Sequence, residues 1–592
     1  MAKQEVLIGD SGALLVSKLK NNFDELYLGS GGLGYIIQPS DDISVSAWWL
    51  SMVSSYGIFT IVDDYDFGGA SVNLPSGIIL YFNGGVWSNG FIVGSNTEIK
   101  VLGIRQIFET DLVLNGTWKF EKFLPQYYGA VGDGVIDDTT PFQISINFLN
   151  GRPLTVPSGI YLITTITIDS EHTRIYGSGS QYGTSGGSQF ISVTANPLFY
   201  INASKVYLRD IFLLGNDHAD NGLLTQTGIK VYSTGNLRIE NVTIWHMGDW
   251  GIRCGGIGTI GSYGVLIEKS DISYNTKGGI CQLHIYSLLT NIQVNRNLIY
   301  RNDISSNGGP GILTRGASNS ILENDISTNG DSGILLEGSD ILDSTTYSYN
   351  TTIERNYMEH NAGGELYFEP WHDPVSGEKH VFGSVYFGHN YLNSALASIT
   401  KPGVTSHITA KARAGSLPLT GGSTQSWGLV SIVIEDNSTS SLNMNLIDAD
   451  DLFDPWSRLS TCGGHAPHDR DAAFLNSHNA ATSARGEYGN DYFEIDADIS
   501  LSGVDVTKLF PVVKITQTAP TSTTANPQIV TSGVKNGRKL LIIGSSDVNT
   551  MTFNHGNGLS LVGGVSVVLG ANDLIEFVFL DGTWYEKYRT NH

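Results

Sequence analysis

Three acidic residues near the middle of the chain, Glu337, Glu369 and Asp373, have types and spacings suited to breaking a glycosidic bond. Glu337 sits in "GILLEG" and Glu369 in "GELYFEP", 32 residues later, while Arg315 holds the matching place in "GILTRG", 22 residues before Glu337. If these segments are successive turns of one repeat, Arg315, Glu337 and Glu369 share a register on strands about 4.8 Å apart. Alternation then points Ile312, Thr314, Ile334 and Leu336 inward and Arg315 and Glu337 outward. Two carboxyls about 5 Å apart approach the separation of retaining glycosidases, about 5–5.5 Å, whereas inverting ones need about 6.5–9.5 Å. One carboxyl, its proton held more tightly beside the charge of the other, would serve as general acid.

The neighbouring residues suit a saccharide groove. "ELYFEPWHDP" supplies Tyr367, Trp371, His372 and Asp373, and an insertion over Ser339–Asn350 brings Tyr347 and Tyr349 beside Glu337. Aromatic faces stack on sugar rings and carboxylates bind hydroxyls. Charge is segregated: residues 230–315 hold eight Lys or Arg against five acids, and residues 323–378 hold twelve acids against Arg355 alone. A lyase is the nearest alternative, with Arg315 neutralising a uronate and Tyr367 or His360 taking the α-proton. A third possibility is a non-enzymatic adhesin that binds glycan without cutting it. Other clusters (Asp217, His218 and Asp220; His465, His468, Asp469 and Asp471) match no known metal spacing and read as polar turns. No metal or cofactor is expected.

The elements that must position these residues declare themselves as repeats. "NDISSNGGPGILTRG" starts at Asn302, "NDISTNGDSGILLEG" at Asn324 and "NYMEHNAGGELYFEP" at Asn356, with looser copies at Ser270 and Asn241. Their alignment stacks Asn275, Asn307, Asn329 and Asn361, with His246 in the same place one coil earlier. Asparagines stacked at a bend satisfy buried backbone, a structural role rather than a sugar-binding one.

Upstream, "YGAVGDGVIDDTTPFQISI" crowds Asp133, Asp137 and Asp138 into a glycine-rich loop. Asp138 or Thr139 can cap a helix that tolerates Pro141 in its first turn, with Phe142, Ile146 and Leu149 as its apolar stripe. A calcium loop would need alternating ligands and a closing Glu, which are missing. This stretch resembles the opening motif of the pectate-lyase-like right-handed β-helix proteins found in phage tailspikes. The resemblance implies that the helix plugs the N-terminal end of a right-handed parallel β-helix and that the aspartates shape a turn.

The chain of 592 residues carries 70 glycines and only 15% charged residues, which suits an all-β protein of several domains. The expected order is a virion-attachment segment at 1–35, a β head or early coils at 36–125 and the β-helix at 126–403. A second β region follows at 404–512, then a C-terminal β domain at 513–592 that trimerises or binds a receptor. A net charge of −23 argues against nucleic acid and anionic membranes. No apolar run suggests a signal peptide or a membrane span, consistent with a virion protein made in the host cytoplasm and released by lysis. Cys254, Cys281 and Cys462 read as buried free thiols. The resemblance further implies a homotrimer, tail or baseplate partners at the N-terminus, and a bacterial capsular polysaccharide or O-antigen as target.

Overall fold

The computed structural model describes residues 33–590, leaving out 181–185, 193, 216–225, 256–260, 284, 288–289, 338–347, 370, 373–378, 381, 394–397, 403, 405, 411–428, 431–432, 436, 440–444, 450–457, 460–492, 497–511, 517–519, 523–526, 530–535, 538 and 545. It divides into two compact units, Met1–Ile252 with Val265–Asp271 and Arg253–Gly264 with Ile272–His592.

In the first unit, parallel pairing begins at Leu33–Ile36 and passes through Tyr56–Ile61, Ile79–Phe82 and Gly90–Val101 to Leu112–Phe120. Trp49, Phe59, Phe82, Trp87 and Phe108 are fully buried inside these strands. Their rings meet edge to face, the arrangement favoured by the aromatic quadrupole.

The aspartate loop comes next, and its acids act on backbone. Asp133 accepts the N–H groups of Val135 and Ile136 at 2.8 and 2.9 Å, and Asp137 accepts that of Thr139 at 2.9 Å. These bonds hold the Asp133 carboxyl below its ordinary range. The helix Thr139–Leu149 follows, burying Phe142, Ile146 and Leu149 as the stripe requires. The expected cap is corrected: neither side chain caps the helix. The buried Asp138 carboxylate turns back instead, accepting the N–H groups of Val131 and Gly132 at 2.6 and 3.1 Å. Burial pushes its proton affinity up, and those two bonds oppose the shift. Gly132 has φ +71°, and a Cβ there would stand 2.8 Å from the Tyr161 ring. The loop therefore closes only with glycine at that place.

In the second unit each coil gives two strands to one sheet and one to another. Asp303–Ser305, Asp325–Ser327, Tyr357–Glu359 and Tyr391–Leu392 pair in parallel in the first. Gly278–Leu283, Ile312–Arg315, Ile334–Glu337, Leu366–Glu369, Ser406–Ala410 and Asn445–Ala449 do so in the second. The parallel register runs on past residue 403 to Asn445–Ala449 and Arg458–Leu459.

Bends between strands share one device. Tyr274, Ser306, Thr328 and His360 adopt φ of 59°, 56°, 55° and 55°, and the buried asparagine follows each. Asn275, Asn307, Asn329 and Asn361 pass side-chain hydrogen bonds of 2.9 Å from coil to coil. A second ladder runs through Asn302, Asn324, Asn356, Asn390 and Asn437. From Asn307 and Asn324 onward the amides also donate to buried backbone, as Asn329 does to Ile304 O. The Asn361 amide then donates to the buried Glu365 carboxylate, where the first ladder ends. His246 is displaced by one residue from its expected place. It has the bend conformation itself, φ 58°, and the fully buried Met247 follows it.

The C-terminal strands break the parallel rule. Lys539–Gly544, Leu574–Leu580 and Thr583–Thr590 pair antiparallel around Ile542, Phe553, Phe577 and Trp584, all fully buried.

Candidate active site

Strands Ile312–Arg315, Ile334–Glu337 and Leu366–Glu369 build the site. Ile312, Thr314, Ile334, Leu336, Leu366 and Phe368 face the interior at 0–1% exposure. Leu313, Leu335 and Tyr367, which alternation sends outward, are only 7–8% exposed, so this outer face is largely covered.

Glu337 and Glu369 are register partners on adjacent strands. Arg315 reaches Glu337 with an Nη2–Oε2 distance of 2.6 Å, and their side chains are 10% and 13% exposed. Arg315 and Glu337 therefore form a nearly buried ion pair. Arg315 Nε is buried without a hydrogen-bond partner among the described residues. Beside the pair, the buried Cys281 thiol is pushed up by desolvation, against the pull of Arg253 and Arg315. Burial also pushes the Cys254 thiol up to about 12. Both are free thiols, as expected, and such thiols are unreactive at neutral pH.

Tyr367 also differs from expectation. Lys401 Nζ lies 4.1 Å from the centre of its ring and 2.8 Å from Asp331 Oδ1. An ammonium therefore occupies the face that a sugar would stack on. Lys401, in "TKPG", lay outside the quoted repeats, so nothing in them pointed to it. Trp371 and His372 form a short strand antiparallel to Lys379–His380. Tyr347, Asp373, Asp217, His218, Asp220, Cys462, His465, His468, Asp469 and Asp471 lie outside the described residues. His360 stands at a bend, its Nδ1 3.9 Å from Glu359 Oε1, on the strand pair of the other sheet. Among the described residues, no three His, Cys, Asp or Glu gather as a metal site.

Sequence reading missed a second carboxylate group, on that other sheet. Asp303 and Asp325 are register partners, followed in the same column by Tyr357 and Tyr391. Each is the residue after a ladder asparagine, so the column was legible in "NDIS", "NYME" and "NYLN". The Tyr357 and Tyr391 rings stack at 5.2 Å and 11°. Desolvation raises the proton affinity of Asp325, although the residue as a whole is exposed, and the charges of Asp303 and Glu359 add to it.

Among known families, the right handed beta helix region matches residues 227–400. The fold of this stretch is a right-handed parallel β-helix. No curated protein matches the chain's sequence. Among solved structures, the enzymatically active domain of tailspike protein 2 from bacteriophage CBA120 is 15% identical, covering 79% of this chain and 70% of its own, with a TM-score of 0.41. The Dettilon tailspike protein is 14% identical over 57% of this chain and 68% of its own, with a TM-score of 0.38. The A-module of Azotobacter vinelandii mannuronan C-5 epimerase AlgE4 is also 14% identical, over 59% and 99%, with a TM-score of 0.35. At these values the three carry no inference about activity. Among the described residues no helix is long and apolar enough to cross a membrane.

Proposed function

We propose that this β-helix protein is a tailspike depolymerase that binds a bacterial capsular polysaccharide or O-antigen and hydrolyses it. The observation behind this reading is the registration of Glu337 with Glu369 on adjacent strands, one strand spacing apart. Arg315 makes Glu337 the partner suited to act as carboxylate. Glu369 then gives its proton to the leaving oxygen while Glu337 attacks the anomeric carbon. Water, activated by Glu369, releases the glycosyl ester with retained configuration. Asp373, four residues after Glu369, is the third carboxylate of the set, and Trp371, His372 and Tyr347 are its saccharide contacts. The tailspike assignment, with trimerisation and attachment of the N-terminal segment to a phage tail, follows the resemblance at 128–146.

One feature favours a second reading. Arg315 and Lys401 lie beside Glu337 and Tyr367, and such cations would neutralise a uronate for β-elimination. Incubation with purified polymers separates the two. Hydrolysis yields oligosaccharides carrying one added water per cut, and elimination yields an unsaturated terminal sugar.

A further inference from the structure

We propose that the outer face of strands Asp303–Ser305, Asp325–Ser327, Tyr357–Glu359 and Tyr391–Leu392 binds a neutral hexose or N-acetylhexosamine unit, stacked on Tyr357 with hydroxyls bonded to Asp303 and Asp325. The inference rests on the polysaccharide reading above and adds a binding site apart from Glu337 and Glu369.

Orientation comes first. Ile304, Ile326, Met358 and Leu392 alternate with these residues and are fully buried, so Asp303, Asp325, Tyr357 and Tyr391 point outward. Tyr391 covers one face of the Tyr357 ring. The other face looks along the column toward Asp325, its register partner. Two short carboxylates followed by two rings make a step, with an aspartate floor and an aromatic wall.

The wall is held in place. Tyr357 donates its hydroxyl to Glu359 Oε2, which also accepts Asn393 Nδ2 at 2.8 Å. A ring fixed before binding loses little freedom when a sugar arrives. The floor is open: Asp303 and Asp325 are exposed, and neither has a cationic partner among the described residues. Like charges facing each other on adjacent strands cost stability, which an exposed solenoid column need not bear.

Chemistry selects the ligand. Carboxylates accept hydrogen bonds and sugar hydroxyls donate them, while the negative ring face attracts the C–H face of a pyranose. Two uncompensated negative charges repel uronates and phosphorylated sugars. The fitting unit is therefore a neutral one.

The test measures binding of the full-length protein to immobilised, purified capsular polysaccharides and O-antigens, both neutral and uronate-containing. The wild type is expected to bind a neutral polymer. Tyr357→Ala should weaken this about tenfold and the isosteric Asp325→Asn roughly fivefold. Asp325→Asn carries the test if Tyr357→Ala fails to fold. Unchanged affinity in the folded variants overturns the site, as does preference for a uronate polymer. A Tyr357→Ala protein that only changes oligomeric state makes the face a subunit contact and overturns it too. If the wild type binds no polymer, the polysaccharide reading falls and this inference with it. If binding depends on Tyr357 while no polymer is cut, the site stands and the hydrolytic reading fails.

Discussion

Two pairs of acids sit at the same spacing on adjacent strands of the second unit, in opposite surroundings. Glu337 and Glu369 share their register with Arg315, and the Arg315–Glu337 ion pair is nearly buried. Asp303 and Asp325 are exposed, face each other without a cation among the described residues, and lead into stacked tyrosines. A parallel β-helix sets one distance for every pair. What each pair can do is then decided by the third charge and the cover. A charge-compensated, covered pair suits covalent chemistry away from bulk water. An open, uncompensated one suits hydrogen bonding to a neutral polymer.

That contrast can be broken in several ways. Replacing Glu337 or Glu369 by Gln should lower turnover by about 10²–10⁴-fold, whereas Asp303→Asn should leave turnover on short oligosaccharides near wild type. Equal losses on both faces, measured as reducing ends released, would erase the distinction. Arg315→Ala strands Glu337 in a covered place and should cost about 3–5 kcal/mol in denaturant unfolding. By contrast, Arg301→Ala removes an exposed, solvent-screened pair with Glu323 at 2.8 Å and should leave the unfolding midpoint near that of the wild type.

The smallest effect is a pH dependence. The Asp325 carboxyl has its proton affinity raised in the folded state, so folding is penalised once that group ionises. The penalty is absent below the unfolded value and grows as pH rises through the folded one. Asp325→Asn should therefore raise the melting temperature slightly at pH 7, and the gain should vanish near pH 3. A gain that persists in acid would assign it to something other than charge.

The repeats made the asparagine ladders and the Glu337–Glu369 register legible, because inward positions and coil spacing both repeat in the sequence. His246 was misplaced by one residue, since Met247 takes the inward place there without the asparagine that marks it elsewhere. Cover was not legible. Strand alternation says which way Arg315 and Tyr367 point, but not that Glu337 and Lys401 meet them there. Asp138 was misread for a similar reason: a carboxylate before a helix can serve the helix or the loop behind it. Only the tertiary closure onto Val131 and Gly132 decides between them.

The most direct measurement is mass spectrometry of the products from a purified neutral capsule or O-antigen after incubation with wild-type, Glu337→Gln and Glu369→Gln proteins. Hydrolysis at this pair predicts oligosaccharides carrying one added water per cut from the wild type and intact polymer from both variants. Unsaturated termini, or full cutting by either variant, would contradict it.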